Sequence, residues 1–361
     1  LIMDLSSILN ISPYSLKKHD KEELLNLFLN SLSKFHYNNC PSYTKMMDAV
    51  NFNINKEENY SKLPFLPVRL FKMFDLKSVE KEDIIKTMTS SGTSGQAVSK
   101  IYLDKETSSN QTKVLTKIVS SFIGNKRTPM IIMDSESVVK DRKLFSARGA
   151  GIIGFSMFGS KRMYALNDKM ELKIKAINEF LEENKGERIF IFGFTFIIYQ
   201  HFYKELDRLN IKLDLSNSVM IHGGGWKKLI NESVSSAKFR ESLNRVSGIK
   251  SVHDYYGMVE QTGSIFMECE NGHLHAPVFS DIIIRNPHDF SVAEIGVKGI
   301  IQVLSILPNS YPGHSLLTED EGILLGEDDC SCGKFGKYFK IVGRLKNAEI
   351  RGCSDTYEEK I

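Results

Sequence analysis

The sequence predicts an α/β fold, with a mostly parallel sheet flanked by helices. Three observations carry that prediction. Short apolar runs of strand length, MIIMDS (130–135), RIFIFGF (188–194) and SVMIHGGG (218–225), each end in a polar or glycine turn. Stretches with apolar residues at helical spacing lie among them. The chain has 361 residues, 42% of them hydrophobic, enough to bury a large core in one α/β unit or two domains. Strands that alternate with helices close into parallel sheets. Ligands of such sheets settle beyond the strand C-termini, where the glycine turns fall here.

The elements follow in order. Residues 20–35 read as a helix, with Leu24, Leu27, Phe28, Leu32 and Phe35 on one face and Asp20 with Glu23 as a capping box. This helix belongs to a helical lead over residues 1–60. LPFLPVRLFKMF (63–74), with its two prolines, is an extended lead-in to a core spanning 61–342. A second helix covers 167–185, capped near Asn167 and Asp168 and stopped by Gly186. DIIIR (281–285) and GIIQVLSIL (299–307) are later strands, and 343–361 form a short C-terminal tail.

Composition narrows the function classes. A net charge of +3 gives no basic surface for nucleic acid and no acidic tail. No apolar run reaches the length of a bilayer span, and no signal-peptide pattern opens the chain, so a cytoplasmic enzyme is expected. Five cysteines in a chain this long suggest thiols kept for metal or chemistry, not a disulfide scaffold. The 22 Phe and 13 Met suit an apolar substrate, although both are also ordinary core residues.

Residues 89–100, TSSGTSGQAVSK, pack Thr89, Ser90, Ser91, Thr93 and Ser94 around Gly92 and Gly95 and close on Lys100. Backbone amides, hydroxyls and one ammonium together make a cradle for a polyanion, and a nucleoside triphosphate is the obvious ligand. The glycine spacing differs from the Walker A loop. Taken alone, such a string reads as a solvated linker. In HGGGW (222–226), Gly223, Gly224 and Gly225 strip side chains from a turn, so a planar base can lie on bare backbone; the plainer alternative is a tight strand-to-helix connection. In DYYGMVE (254–260), Tyr256 beside Gly257 can stack on a purine and Glu260 can hold Mg²⁺; the alternative is a loop with surface tyrosines. Asp320 in Thr318-Glu319-Asp320 can accept ribose hydroxyls, and Arg344 after Gly343 can donate to ribose or the α-phosphate. By itself, either would be a surface charge.

Taken together and in this order, the five segments resemble the adenylate-forming superfamily of acyl- and aryl-CoA ligases, luciferases and peptide-synthetase adenylation domains. Asp320 matches its ribose-binding acid, in TED where TGD is usual. Within the superfamily the chain looks most like the acyl-protein synthetase family, the LuxE-type component of bacterial fatty-acid reductases. PFLPVRLFK (64–72) and GRLKNAEIRGCS (343–354) carry that resemblance, which covers residues 60–354. It implies the N-terminal-domain fold of that superfamily, ATP and Mg²⁺, a fatty or other carboxylic acid as substrate, an acyl-adenylate, acyl transfer to a cysteine thiol as thioester, and an acyl-reductase partner. Ser90, Ser91, Gly92, Thr93, Ser94, Gly95 and Lys100 would serve the phosphates, Glu260 the magnesium, Gly223–Gly225 with Tyr256 and Gly257 the adenine, and Asp320 with Arg344 the ribose and phosphate. Relatives carry a C-terminal cap of about a hundred residues with a catalytic lysine. This sequence ends nine residues past Gly352, so the cap is expected to be absent or truncated, with Lys100, Lys346 or a partner in the lysine's place. Cys353, beside Arg351, is the implied acyl acceptor. Two alternatives stand beside this reading: an acyl- or aryl-CoA ligase of the phenylacetate-CoA-ligase type, and a non-catalytic nucleotide-binding subunit. Homo-oligomerisation is left open.

The remaining cysteines point elsewhere. Cys269, Cys330 and Cys332 with His275, or with His273 instead, have the make-up of a closed structural zinc site, as in some phenylacetate-CoA-ligase-like relatives. Cys40 is expected to be packing. GAGIIG (149–154) matches G-x-G-x-x-G but follows a polar stretch, so a substrate-side loop is expected and no nicotinamide site. Phe192–Thr195 and Gly154–Met157 could line an acyl channel, but plain core at strand ends is the better expectation.

Overall fold

The computed structural model describes residues 5–90, 97–140, 147–226 and 232–345. The chain forms two compact units. One takes the described residues up to Ser121 and those from Gly257 onward, and the other takes Phe122–Tyr256.

The first unit opens with helices Lys18–Asn39 and Pro41–Ala49. The first helix is longer than expected, and its buried face is displaced from the expected one. Leu25, Phe28, Leu29 and Leu32 face inward while Leu27 is 55% exposed. The inner face also carries Lys21, Ser33 and His36, which hid the apolar period. The capping box does not form: Asp20 lies within the first turn, and Asp328 accepts the Lys18 backbone N–H at 2.8 Å instead. Lys21 and Lys337 converge on the buried Asp281, at 3.4 and 2.7 Å, and the Tyr60 hydroxyl donates to the same carboxylate at 2.7 Å. Strand β1 (Leu66–Pro67) and the hairpin β2 (Lys86–Thr89) and β3 (Lys100–Leu103) follow.

The second unit is the parallel sheet the sequence predicts. Its strands are β4 (Thr128–Ser135), β5 (Gly159–Leu166), β6 (Ile189–Phe194), β7 (Ser218–Gly223) and β8 (Ser251–Tyr256), in the order β8-β7-β6-β4-β5 with every pairing parallel. Strands β6 and β7 are buried along their whole length, as continuous apolar runs require. The helix expected over 167–185 is confined to Ile174–Glu183, because the Asn167 side chain accepts the amides of Lys169 and Glu171 and turns the chain first. GAGIIG lies in a helix, Ala147–Ser156, and not in the loop expected for it.

Back in the first unit, β9 (Phe266–Glu268), β10 (Leu274–His275), β11 (Ser280–Arg285), β12 (Lys298–Ser305), β13 (Ser315–Glu327) and β14 (Lys337–Arg344) pair in the order β11-β12-β13-β14-β10-β9. All of these pairings are antiparallel, and only β1 lies parallel, on β13. Short connections without crossover helices leave antiparallel pairing as the available geometry. Among the described residues no helix is long and apolar enough to cross a membrane.

Candidate functional site

In the parallel unit, β6, β7 and β8 end side by side: Phe194 pairs with Gly223, and Gly223 with Tyr255. The three glycines of the following turn each have a local reason. A Cβ on Gly223 would sit 2.6 Å from the Tyr255 ring, and one on Gly224 would sit 2.9 Å from Phe194. Gly224 and Gly225 have φ of +87° and +63°, the left-handed region that glycine adopts without strain. The Thr195 hydroxyl donates to the Gly223 carbonyl at 3.1 Å and lies 2.9 Å from Nδ1 of the buried His222. Tyr255, not Tyr256, covers the glycine. Tyr256 is the next residue, so its side chain leaves the opposite face of the strand, half-buried. Phe155 stacks on Phe192 at 4.1 Å, and Phe192 and Phe194 are fully buried, so these side chains are core.

The antiparallel unit carries the other expected groups. Ser90 and Lys100 flank the serine-rich loop, while Ser91, Gly92, Thr93, Ser94 and Gly95 lie outside the described residues. The backbone N–H of Ser90 donates to the Ser99 carbonyl at 3.2 Å, and the Ser90 hydroxyl accepts the Ser99 N–H at 2.9 Å. Ser90 therefore pins the neck of the loop and keeps its own O–H to donate. Lys100 pairs with Thr89 across the hairpin, and its ammonium lies 3.5 Å from Asp75. Asp75 also accepts the Tyr102 hydroxyl at 2.7 Å. That bond, helped by Lys100, holds the Asp75 carboxyl below the ordinary aspartate range. A polar cleft of about 220 Å³ runs past Lys72, Asp75 and Lys100.

Beyond Gly257 the chain makes a short turn, Val259–Gln261, with Glu260 only 3% exposed. Its backbone is held from several sides. The Tyr311 hydroxyl donates to the Glu260 carbonyl at 3.0 Å, and the Gln261 amide donates to the Gly313 carbonyl at 2.7 Å. A Cβ on Gly313 would come within 2.9 Å of the same Glu260 oxygen.

Asp320 and Arg344 are register partners across β13 and β14, and Arg344 Nε donates to Asp320 Oδ1 at 3.0 Å. The Thr318 hydroxyl accepts the Asp320 N–H at 3.1 Å and donates to the Ile301 carbonyl at 2.7 Å, which fixes the strand at this point. The neighbouring Glu319 is buried and takes a hydrogen bond from Arg69 Nε. Sequence reasoning gave no role to Arg69, Glu319, Asp75 or Tyr255. The signals for the first two were PFLPVRLFK, which holds Arg69, and the acid in TED. Lys346 and Cys353 lie outside the described residues.

Cys269, His275, Cys330 and Cys332 come together as expected, with their ligand atoms all within 4.8 Å of one another. Cys332 Sγ lies 3.3 Å from His275 Nε2. His273, the alternative ligand, lies 3.4 Å from Cys330 Sγ through Nδ1. Two tight turns present the sulfurs, with the Gly272 N–H donating to the Cys269 carbonyl and the Gly333 N–H to the Cys330 carbonyl, both at 3.0 Å. Burial pushes the Cys332 thiol up to about 12 and the His275 imidazole down to about 4. Three sulfurs and one nitrogen at this spacing fit a tetrahedral metal ion, whose charge would hold the sulfurs as thiolates.

Comparison with known proteins gives the family and the fold. The model of the family described as "Acyl-protein synthetase, LuxE" matches residues 2–361. The long-chain-fatty-acid–luciferin-component ligase of Aliivibrio fischeri is 24% identical over 349 residues, covering 93% of this chain and 88% of that protein. The protein of the same name from Vibrio harveyi is 22% identical over 355 residues, covering 95% and 89%. Among solved structures, 2-hydroxyisobutyryl-CoA ligase in the postadenylation state with 2-HIB-AMP matches with a TM-score of 0.71 at 12% identity, over 92% of this chain and 69% of that one. An open conformation of that ligase, with 2-HIB-AMP and CoA, gives 0.71 at 14% identity, over 92% and 77%. The fold is that of adenylate-forming ligases. With the family's model matched from residue 2 to the last residue, this chain belongs to the LuxE acyl-protein synthetase family.

Proposed function

We propose that the protein activates a fatty acid with Mg·ATP as its acyl-adenylate and passes the acyl group to the thiol of Cys353, for collection by an acyl-reductase partner. The pairing of Asp320 with Arg344 carries this reading. Two residues 24 positions apart, which motif order assigns to one ribose and its phosphate, stand next to each other in a chain of this family. The names of the relatives support a fatty acid substrate, and the description of the family supports a protein acceptor.

In the first step a substrate carboxylate oxygen attacks the α-phosphorus, and the bond to the bridging β-oxygen breaks to release pyrophosphate. Little proton transfer is needed, so charge neutralisation dominates. In the antiparallel unit, Arg344 and Lys100 supply the cationic groups, Ser90 donates to a phosphate oxygen, Glu260 offers its carboxylate to magnesium, and Asp320 accepts from ribose. In the parallel unit, the backbone of the Gly223–Gly225 turn and Tyr256 receive the purine. In the second step the Cys353 thiolate attacks the acyl carbonyl and AMP leaves. The thioester keeps the acyl group activated for reduction. In the same reading, Cys269, His275, Cys330 and Cys332 hold a structural zinc that takes no part in either step.

The test is fatty-acid-dependent ATP–pyrophosphate exchange, combined with intact-mass analysis after incubation with ATP and a panel of acids. Exchange, and a mass gain of one acyl group that Cys353→Ser abolishes while exchange persists, is the expected result. Exchange with release of acyl-CoA from Cys353→Ser would point to a CoA ligase. Absence of exchange with every medium- and long-chain acid, with or without an acyl reductase, would end the proposal.

A further inference from the structure

Strand β1 lies parallel to β13, with Pro67 opposite Leu317 and the Val68 N–H donating to the Leu317 carbonyl at 2.9 Å. Two residues further along each segment come Arg69 and Glu319. This register delivers the Arg69 guanidinium to the Glu319 carboxylate, where Nε donates to Oε1. The two side chains differ in environment: that of Glu319 is 7% exposed and that of Arg69 is 52% exposed. Arg344 stands between two acids. Its Nε is 3.0 Å from Asp320 Oδ1, and its Nη2 is 4.0 Å from Glu319 Oε2.

A buried carboxylate attracts a nearby cation more strongly than a more exposed one, because solvent screens it less. Glu319 is the more deeply buried of the two acids beside Arg344. We infer that Arg69 is a positioning residue: by compensating Glu319 it leaves Arg344 committed to Asp320, in the geometry in which the two face a nucleotide. Without Arg69, a small swing carries the Arg344 guanidinium onto Glu319 and away from Asp320. The LPVR segment (66–69) thus acts on the nucleotide pair through one intervening carboxylate, without touching the ligand. The functional consequence rests on the roles proposed above for Asp320 and Arg344, whereas the positioning itself does not.

The experiment compares the parent, Arg69→Met and the double variant Arg69→Met/Glu319→Gln. In ATP–pyrophosphate exchange, Arg69→Met is expected to raise the KM for ATP about tenfold with the fatty-acid KM unchanged, about the loss of one charge-assisted hydrogen bond. The double variant, which strands no charge, is expected to return to within about twofold of the parent. A crystal structure of Arg69→Met is expected to show Arg344 bonded to Glu319. Parent-like ATP KM in Arg69→Met, a double variant as impaired as the single one, or Arg344 still on Asp320 in that crystal structure would each overturn the inference. If Arg69→Met does not fold, a folded double variant with near-parent KM upholds the inference, and an unfolded one reduces Arg69 to a fold residue. If the parent shows no exchange, the functional reading fails and the position of Arg344 still decides the positioning role.

Discussion

Acid should destabilise this protein through two stacked, buried imidazoles. His36 and His314 lie with ring centroids 5.0 Å apart and both are essentially inaccessible. The Pro308 carbonyl accepts from His36 Nε2 at 3.1 Å, so Nε2 carries the hydrogen, and Nδ1 accepts the Ser78 hydroxyl at 2.8 Å. His314 Nε2 donates at 2.9 Å to the Ser33 hydroxyl, which itself donates to the Leu29 carbonyl. A second proton on His314 would sit on Nδ1, which has no hydrogen-bond partner among the described residues. Burial pushes His36 down to about 3 and His314 well below the usual histidine range. Because the folded values are depressed, the unfolded chain takes up protons first as pH falls. The stability is complete above pH ~6.5 and declines below it. At pH 5, ~1.5 pH units below the unfolded value, His36 costs about 2 kcal/mol, and His314 adds to it in the same direction. That is a large share of the ~5–15 kcal/mol that domains have. Urea midpoints followed by circular dichroism at pH 7.5, 6 and 5 would measure it. His201 and His275 lean the same way, so the difference between the parent and His36→Asn carries the test. The variant should lose the His36 share of the acid sensitivity, about 2 kcal/mol between pH 7.5 and 5. Identical acid slopes in parent and variant would refute the reasoning.

Three further outcomes are expected. Gly224→Ala, at φ +87° with its Cβ 2.9 Å from Phe194, should lower stability by about 1–3 kcal/mol in urea titration and raise the ATP KM in exchange assays. The parent should carry one zinc per chain by elemental analysis, and Cys330→Ser should lose it together with several degrees of melting temperature; a parent free of zinc after purification in zinc-supplemented medium would refute the site. Asp281→Asn should cost about 3–5 kcal/mol by chemical denaturation, because it leaves Lys21 and Lys337 buried without their counter-charge.

Three strands of the parallel unit were legible because burial on both faces writes them as unbroken apolar runs: β4, β6 and β7 fall within two residues of the runs that predicted them, whereas β5 and β8, partly exposed, gave no such run. The gathering of Cys269, His275, Cys330 and Cys332 was legible from their chemistry, since three thiols and a histidine make up a metal-ligand set. Partnerships set by register were not legible. Motif order put Asp320 and Arg344 at one ligand, but nothing in the string says that they bond to each other, and Arg69 shows its role only once β1 is laid beside β13. The glycine turn was half legible. Three glycines announced a close approach, but what approaches Gly223 and Gly224 within this chain is Tyr255 and Phe194, each brought in by a neighbouring strand.

The first helix was misjudged for a reason that bears on function. Its inner face is polar at Lys21, Ser33 and His36, where an amphipathic pattern calls for apolar side chains. Each of these residues has a distant partner: Asp281 for Lys21, His314 for Ser33, and Ser78 with Pro308 for His36. Buried polar groups are stable only when so matched, and the matching specifies one docking position where an apolar stripe would tolerate several. That position matters because the segment around His314 also supports Glu260. Tyr311 bonds the Glu260 carbonyl, and Gly313 accepts from Gln261 and leaves no room for a side chain beside that oxygen. Residues of the N-terminal lead therefore anchor, at His314, the chain segment whose Tyr311 and Gly313 hold the backbone that carries the proposed magnesium carboxylate. A lead that served only to cover the core could be apolar throughout; one that sets the position of Glu260 gains from the directional bonds found here.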